Sequence, residues 1–353
     1  MTYISEHQRR TRGEPVHRTQ EKRSEARVLL DRQLKEIDEK EAGNREEIEA
    51  KFLLPKAEHF IVTDPVKEYK KRIELWLKSG FPVHIIGPTG CGKTALALHV
   101  AEKLGKPVVW INGDEAISTS DLIGGYSKME SRSISDKYIH NVYKSEEIIE
   151  PTWVDNPLTL ACKYGYTLIY NEFSRAKPEA NNILLGVLQE KILELPTMFG
   201  EERYIKVHPD FNLILTSNNI EYAGVHKAQD ALLDRMPTIY MDFYDEDTEK
   251  AIIKAHTEIE DEKAVQIIRL IRALRSLLKG AEKPGTRPAI MIAQGLQNVN
   301  PSYDKEYFTQ ICLDAIASKT SSQDDWLKKK ELVKNQINKL NINFPEKINF
   351  PEK

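Results

Sequence analysis

Short apolar runs alternate with amphipathic segments between about residues 60 and 245. The apolar runs predict five strands, at residues 83–86, 108–111, 166–170, 211–216 and 238–243. Because these runs are almost continuously apolar, they indicate a parallel sheet covered by helices on both faces. Segments with helical spacing predict helices at residues 66–78, 93–104 and 180–193. The pattern therefore predicts an α/β domain over residues 58–245.

The pattern changes after about residue 245, where strand signals fade. Helical periodicity covers residues 247–258, 262–279, 288–297, 305–317 and 324–340. These segments predict a smaller helical domain over residues 246–340, separate from the α/β domain.

The two ends of the chain differ from the rest. Residues 1–57 begin with clustered arginines and continue with mixed charge and a thin apolar stripe, so they predict a partly helical or disordered arm. This arm is either a solvated tail or a docking segment. Residues 341–353 repeat INFPEK twice, and Pro345 and Pro351 exclude a continuous helix there. They are interpreted as an extended tail or a short linear binding motif.

Composition narrows the class of protein. The 353 residues carry a formal net charge of −3, so no overall positive field favours nucleic acid or an anionic membrane surface. No apolar run approaches the roughly 20 residues of a membrane span, and the N-terminus lacks the apolar core of a signal peptide. The three cysteines are far apart. A cytoplasmic protein without disulfides, a membrane or a nucleic-acid partner is expected.

A glycine-rich motif joins the first predicted strand to the next helix. It reads Gly87, Pro88, Thr89, Gly90, Cys91, Gly92, Lys93 and Thr94, which matches G-x-x-x-x-G-K-[ST]. Such a loop surrounds phosphate oxygens with backbone N–H groups at a helix N-terminus. We expect Lys93 to reach the β- and γ-phosphates of ATP and the Thr94 hydroxyl to ligate Mg²⁺. Cys91 is interpreted as an inert small residue, with an oxidation-sensitive thiol as the alternative.

The strand predicted at residues 166–170 ends in Asn171 and Glu172. Ligands of open α/β sheets bind at the carboxyl ends of the strands. P-loop enzymes usually carry Asp-Glu here, with the first acid in the Mg²⁺ shell. Asn171 accepts from a metal-bound water but has no charge, so it should hold Mg²⁺ less firmly. Glu172 retains the capacity of a general base.

Four further polar residues are candidates for sensing or catalysis. Asn218 follows an apolar strand and is placed to bind the γ-phosphate or the attacking water, although a plain turn also favours Asn. Arg287, expected just before a helix, is placed to bridge the helical domain to the γ-phosphate. Either Arg235 or Arg175 is a candidate arginine finger for a neighbouring subunit. Surface ion pairs are the alternative for these arginines.

Three segments resemble the MoxR branch of the AAA+ ATPases: TSDLIGG at 119–125, NEFSRAKP at 171–178 and LDRM at 233–236. Residues 81–293 are similar, more closely, to the gas vesicle proteins of this family. The most specific segments are FPVH at 81–84, PEANN at 178–182, EYAGVHKAQD at 221–230 and GTRP at 285–288. The resemblance implies an AAA+ P-loop NTPase core with a five-stranded parallel sheet, an insert within residues 125–156 and a C-terminal helical lid.

The same resemblance implies a function. It is ATP-dependent assistance in gas vesicle assembly and growth of the shell, with Glu172, Asn218, Arg235 and Arg287 as catalytic residues. The implied partners are gas vesicle shell and accessory proteins, and the implied assembly is a homo-oligomeric ring such as a hexamer. Two alternatives stay open: a nucleotide-gated scaffold with little turnover, motivated by Asn171, and a general MoxR chaperone with a von Willebrand-type partner.

Overall fold

The computed structural model describes residues 59–127, 131–134, 146–149, 152–197, 203–218, 230–298, 304–317, 320 and 322–340. All of them fall within one compact unit. The predicted N-terminal arm, the INFPEK tail and residues 221–229 of one family-like segment lie outside the described residues.

Eleven strands and twelve α-helices are found in the described part of the chain. The strands are β1 Val83–Gly87, β2 Val108–Asn112, β3 Gly124–Ser127, β4 Ser131–Ile134, β5 Glu146–Ile149, β6 Thr152–Asp155, β7 Thr167–Asn171, β8 Ile192–Glu194, β9 Tyr204–Lys206, β10 Asn212–Asn218 and β11 Thr238–Tyr240. The helices are α1 Asp64–Lys78, α2 Lys93–Lys103, α3 Thr119–Ile123, α4 Pro157–Tyr164, α5 Pro178–Asn181, α6 Ile183–Gln189, α7 Asp230–Leu233, α8 Glu246–His256, α9 Asp261–Leu277, α10 Thr286–Gln297, α11 Lys305–Ala317 and α12 Gln323–Lys339.

Five strands form the central sheet in the order β11-β1-β10-β7-β2, and every neighbouring pair is parallel. The predicted α/β fold with a five-stranded parallel sheet and a helical C-terminal region is confirmed. On one face, α1 and α2 pack against the sheet through Ile73, Ile85, Leu96, Ile169 and Ile214, each fully buried. Full burial of such a side chain contributes roughly 1.5–3 kcal/mol to the free energy of unfolding, so these contacts hold the two helices on the sheet.

The helix predicted at residues 180–193 is interrupted at Asn182 and is wrong after Gln189. Two short helices, α5 and α6, are followed by β8, which pairs antiparallel with β9. Leu193 is fully buried while Ile192 and Glu194 beside it are exposed, which is the alternation of a strand. The expected insert contains two further antiparallel pairs, β3 with β6 and β4 with β5.

The five helices α8 to α12 form the C-terminal region, close to their predicted bounds. They share a core of their own, which includes Ile267, Ile271, Ile292, Phe308 and Val333. The domain boundary at residue 245 stays a prediction. No helix in the described residues combines the length and the apolar character needed to cross a membrane.

Candidate nucleotide site

Four strand ends meet at one edge of the sheet. In the register, Gly87 at the end of β1 lies beside Asn218 of β10, and Asn112 of β2 lies beside Asn171 of β7. Since β10 runs between β1 and β7, the predicted Asn218 stands between the phosphate loop and Glu172. Parallel strands therefore assemble residues that are far apart in sequence.

The phosphate loop turns from β1 into α2. Gly90 and Gly92 have φ angles of +80° and +98°, in the left-handed region that side chains rarely adopt. Lys93 is the first residue of α2, so the backbone N–H groups of the helix start face the loop. Residues 89–94 line a cleft of about 590 Å³, a size that accommodates a nucleotide.

Lys93 is buried at the bottom of this cleft, with 7% of its surface exposed. Its Nζ donates to the carbonyl oxygens of Gly87 at 3.0 Å and Pro88 at 2.8 Å, and to Asn218 Oδ1 at 3.0 Å. Burial lowers the pKa of the ammonium group. All three acceptors are neutral, so an anionic phosphate oxygen competes favourably for this cation.

Asn171 ties the loop to the sheet. Its Oδ1 accepts from the hydroxyls of Thr94 and Thr216, both at 2.8 Å, and its Nδ2 donates to Asn112 Oδ1 at 3.0 Å. The predicted metal residues Thr94 and Asn171 are thus in direct contact. Sequence reasoning missed Asn112, which no local motif distinguishes.

The oxygen atoms of Thr94 and Asn171 suit a metal ion that binds together with phosphate and water. No cluster of three or more His, Cys, Asp or Glu side chains suited to a metal occurs in the described part of the chain. Mg²⁺ keeps several waters and takes phosphate oxygens rather than an all-protein cage. A hydroxyl oxygen at Thr94 and an amide oxygen at Asn171 therefore suit Mg²⁺ that arrives with a nucleotide.

Glu172 follows β7 in an unusual backbone conformation. Its φ is +51°, its N–H donates to Thr216 Oγ1 at 3.1 Å, and its Oε2 pairs with Arg175 Nε at 2.8 Å. Left-handed non-glycine residues are strained and concentrate at functional sites. Among the described residues that line the cleft, Glu172 supplies the one carboxylate. Asp114, two residues after β2, accepts from the N–H groups of Ala116 and Ile117 in its own turn.

The three predicted arginines occupy different places. Arg287 lines the cleft from the first turn of α10, which begins at Thr286, so the expectation that Arg287 precedes the helix is wrong. Arg175 is paired with Glu172 of its own chain. Arg235 does not line the cleft; it donates to the Gln189 side chain and to the Ala231 carbonyl oxygen. Arg235 is thus the predicted residue that this chain does not bring to its own site.

Cys91 is 1% exposed within the loop, and its Sγ lies 3.9 Å from the Met241 carbonyl oxygen. Burial raises the pKa of the thiol, so the reactive thiolate is disfavoured. These observations favour the inert residue over the oxidation-sensitive thiol.

The cleft is also lined by residues that the sequence did not single out, namely His59, Phe60, Ile61, Tyr244 and His256. The rings of His59 and His256 meet edge to face at 5.7 Å. These aromatic and aliphatic side chains offer contacts to the base of a nucleotide whose phosphates lie at Lys93.

Known proteins resemble this chain in sequence. Residues 82–236 match the family model of the AAA domain, dynein-related subfamily. The gas vesicle ATPase GvpN of Haloferax mediterranei is 47% identical over 327 residues, which cover 91% of this chain and 93% of the relative. GvpN1 of Halobacterium salinarum is 51% identical, covering 82% and 83%. GvpN of Ancylobacter aquaticus is 45% identical, covering 74% of each.

Proposed function

Since the chain carries an AAA domain and belongs to the GvpN family of gas vesicle ATPases, we propose that it hydrolyses ATP with Mg²⁺ to assist gas vesicle assembly and shell growth. One observation carries the proposal. Lys93, Thr94, Asn171 and Glu172 line a single cleft at the carboxyl edge of a parallel sheet. This arrangement provides a phosphate-binding cation, a metal-ligand hydroxyl and a base in one place.

Binding begins with Lys93. Its ammonium exchanges the carbonyl oxygens of Gly87 and Pro88 for oxygens of the β- and γ-phosphates, while Asn218 remains within reach of the γ-phosphate. The Thr94 hydroxyl and, through a water, the Asn171 amide oxygen would hold Mg²⁺, which when bound would supply charge neutralisation to the phosphates. The part of the cleft lined by His59 and His256 receives the base.

Hydrolysis requires an oriented water. Glu172 accepts a proton from that water while the oxygen of the water bonds to the γ-phosphorus. The bond from the γ-phosphorus to the β–γ bridging oxygen breaks, which releases ADP and phosphate. Arg287, from α10, balances charge on the γ-phosphate. Because Asn171 is neutral, it would hold Mg²⁺ less firmly than an aspartate would, and turnover would be slower. The scaffold alternative rests on this same neutral residue.

Arg235 points to an oligomer. Its side chain is held by Gln189 outside its own cleft, which supports a role for this arginine at the nucleotide of a neighbouring subunit. A homo-oligomeric ring such as a hexamer would present each Arg235 to the next subunit. We propose that the ring acts in the cytoplasm on gas vesicles, with shell and accessory proteins as partners and without nucleic acid or membrane.

The substitution Lys93→Ala tests the proposal in a vesicle-forming host. It should weaken binding of a fluorescent ATP analogue by roughly two orders of magnitude and prevent vesicle formation, because the phosphates lose their buried cation. Lys103→Ala, at the exposed end of the same helix, is the matched control and should change neither. Normal vesicles from the Lys93→Ala variant would contradict the proposed function.

A further inference from the structure

A buried carboxylate lies behind the phosphate loop, outside the machinery described so far. Glu249, in the first turn of α8, has a side chain that is 2% exposed. Its Oε1 accepts from Arg275 Nη2 at 2.7 Å and from Thr286 Oγ1 at 3.3 Å. Its Oε2 accepts from Arg272 Nη1 at 3.1 Å and from Arg275 Nη1 at 3.4 Å. Both oxygens are therefore used twice, which is what a buried charge requires.

The two arginines extend the network to the segments around the cleft. Arg275 donates from Nε to the Pro284 carbonyl oxygen at 3.0 Å and stacks on the Phe243 ring, 3.9 Å from its centroid. Arg272 donates to the Tyr244 carbonyl oxygen at 3.0 Å. Tyr244 itself lines the cleft. Glu249 thus organises two guanidinium groups that each hold a backbone carbonyl near the nucleotide site.

The start of α10 is held between this network and the phosphate loop. The Thr286 N–H donates to the Gly90 carbonyl oxygen at 3.0 Å, while its hydroxyl donates to Glu249. At Gly285, an added Cβ would lie 2.8 Å from the carbonyl oxygens of both Thr89 and Gly90. Such an approach leaves room only for glycine. The next residue after Thr286 is Arg287, which lines the cleft.

We propose that Glu249 is a positioning residue that fixes the start of α10 on the phosphate loop and thereby places Arg287 at the γ-phosphate of ATP. The proposal rests on the proposed function only in taking ATP as the ligand and Arg287 as its contact. The network holds the chain on both sides of Gly285, at Pro284 through Arg275 and at Thr286 through Glu249. Glu249 acts through Arg287, so its removal should affect ATP, which has a γ-phosphate, more than ADP.

The test measures ATP-over-ADP preference, the ratio of the two Kd values, by titration of the full chain with Mg²⁺ and each nucleotide. Glu249→Gln keeps the shape but removes the charge, and it should lower the preference by about tenfold. Arg287→Ala should lower it similarly, and the double variant should be no worse than Arg287→Ala alone. The control is Glu246→Gln. Glu246 lies in the same helix turn as Glu249, but its ion pair with Arg269 is exposed, so the substitution should leave the ratio unchanged.

A merely structural role gives a different result, because Glu249→Gln would then weaken ATP and ADP equally or add its full effect in the Arg287→Ala background. Either outcome overturns the proposal, and so does a wild-type protein without ATP preference. If Glu249→Gln fails to fold, Thr286→Val decides, because it removes only the hydroxyl contact and should shift the ratio in the same direction. The readout needs no turnover, so a protein that binds without hydrolysing ATP still tests Glu249.

Discussion

A neutral histidine lies in the sheet behind the cleft. His84 on β1 is 4% exposed, and its Nε2 shares a 2.7 Å hydrogen bond with Ser217 Oγ, next to Asn218. Its ring also meets Phe173, the residue after Glu172, edge to face at 5.1 Å. Burial lowers the pKa of His84 from 6.5 to about 4. The folded protein therefore holds this side chain uncharged at neutral pH.

This histidine makes stability depend on pH. Between pH 6.5 and about pH 4 the unfolded chain binds a proton at His84 that the folded chain does not, so the free energy of unfolding falls as pH falls. For His84 the loss is at most about 3 kcal/mol. Urea unfolding at several pH values should show the free energy of unfolding of wild type, relative to that of His84→Gln, falling by up to about 3 kcal/mol from pH 7 to pH 4. A difference that stays constant with pH would contradict the lowered pKa of His84. The other histidines contribute equally in both proteins, so they cancel in the difference.

Among single residues, those in local motifs were predictable from the sequence. The spacing from Gly87 to Thr94 brings phosphate-binding groups together within one turn, so no tertiary knowledge is needed. Glu249 gave no such signal, because its arginine partners lie 23 and 26 residues away on another helix. His59 and His256 meet only in the fold, and an isolated histidine in sequence indicates no ligand. Residues whose partners are distant in sequence could therefore be recognised only from their tertiary contacts.

At the scale of elements, the central strands were predicted because strands buried on both faces are continuously apolar. The same rule fails for short apolar stretches, which suit a helix or a strand equally well. Residues 192–194 became a strand because β9 supplies a pairing partner and Leu193 a buried position. The predicted strand at residues 238–243 ends early, at Tyr240, where its pairing with β1 stops.

The contact between α10 and the phosphate loop gives a prediction at this scale. Gly285→Ala places a Cβ against backbone oxygens that cannot rotate away, so it should destabilise the protein by about 1–3 kcal/mol and weaken ATP binding. Gly125→Ala in β3 is the matched control, because its Cβ meets nothing within 4 Å. Thermal unfolding and ATP titration of both variants check this. Equal behaviour of the two would show that the close approach is unimportant.

At the scale of the whole molecule, the account requires sites shared between subunits. Arg235→Ala and Glu172→Gln should each abolish hydrolysis, the first by removing the finger and the second by removing the base. Mixed in equal amounts, they should recover about a quarter of wild-type activity, since a subunit with Glu172 then meets a neighbour with Arg235.

The control for this experiment is a mixture of Glu172→Gln with Lys93→Ala. Both changes damage the cleft of the subunit that carries them, so no mixed ring contains a complete site. Recovery in the first mixture and none in the second supports Arg235 acting in trans. No recovery in either mixture, with mixed oligomers demonstrated by differently tagged subunits, would contradict it.

The most direct measurement is steady-state ATP hydrolysis by the purified full chain, with and without gas vesicle shell protein, compared with Glu172→Gln. The account predicts turnover that rises with shell protein and falls by at least about 100-fold in Glu172→Gln, while ATP binding is retained. Tight ATP binding without turnover under either condition would contradict an ATPase and would favour a nucleotide-gated scaffold limited by the neutral Asn171.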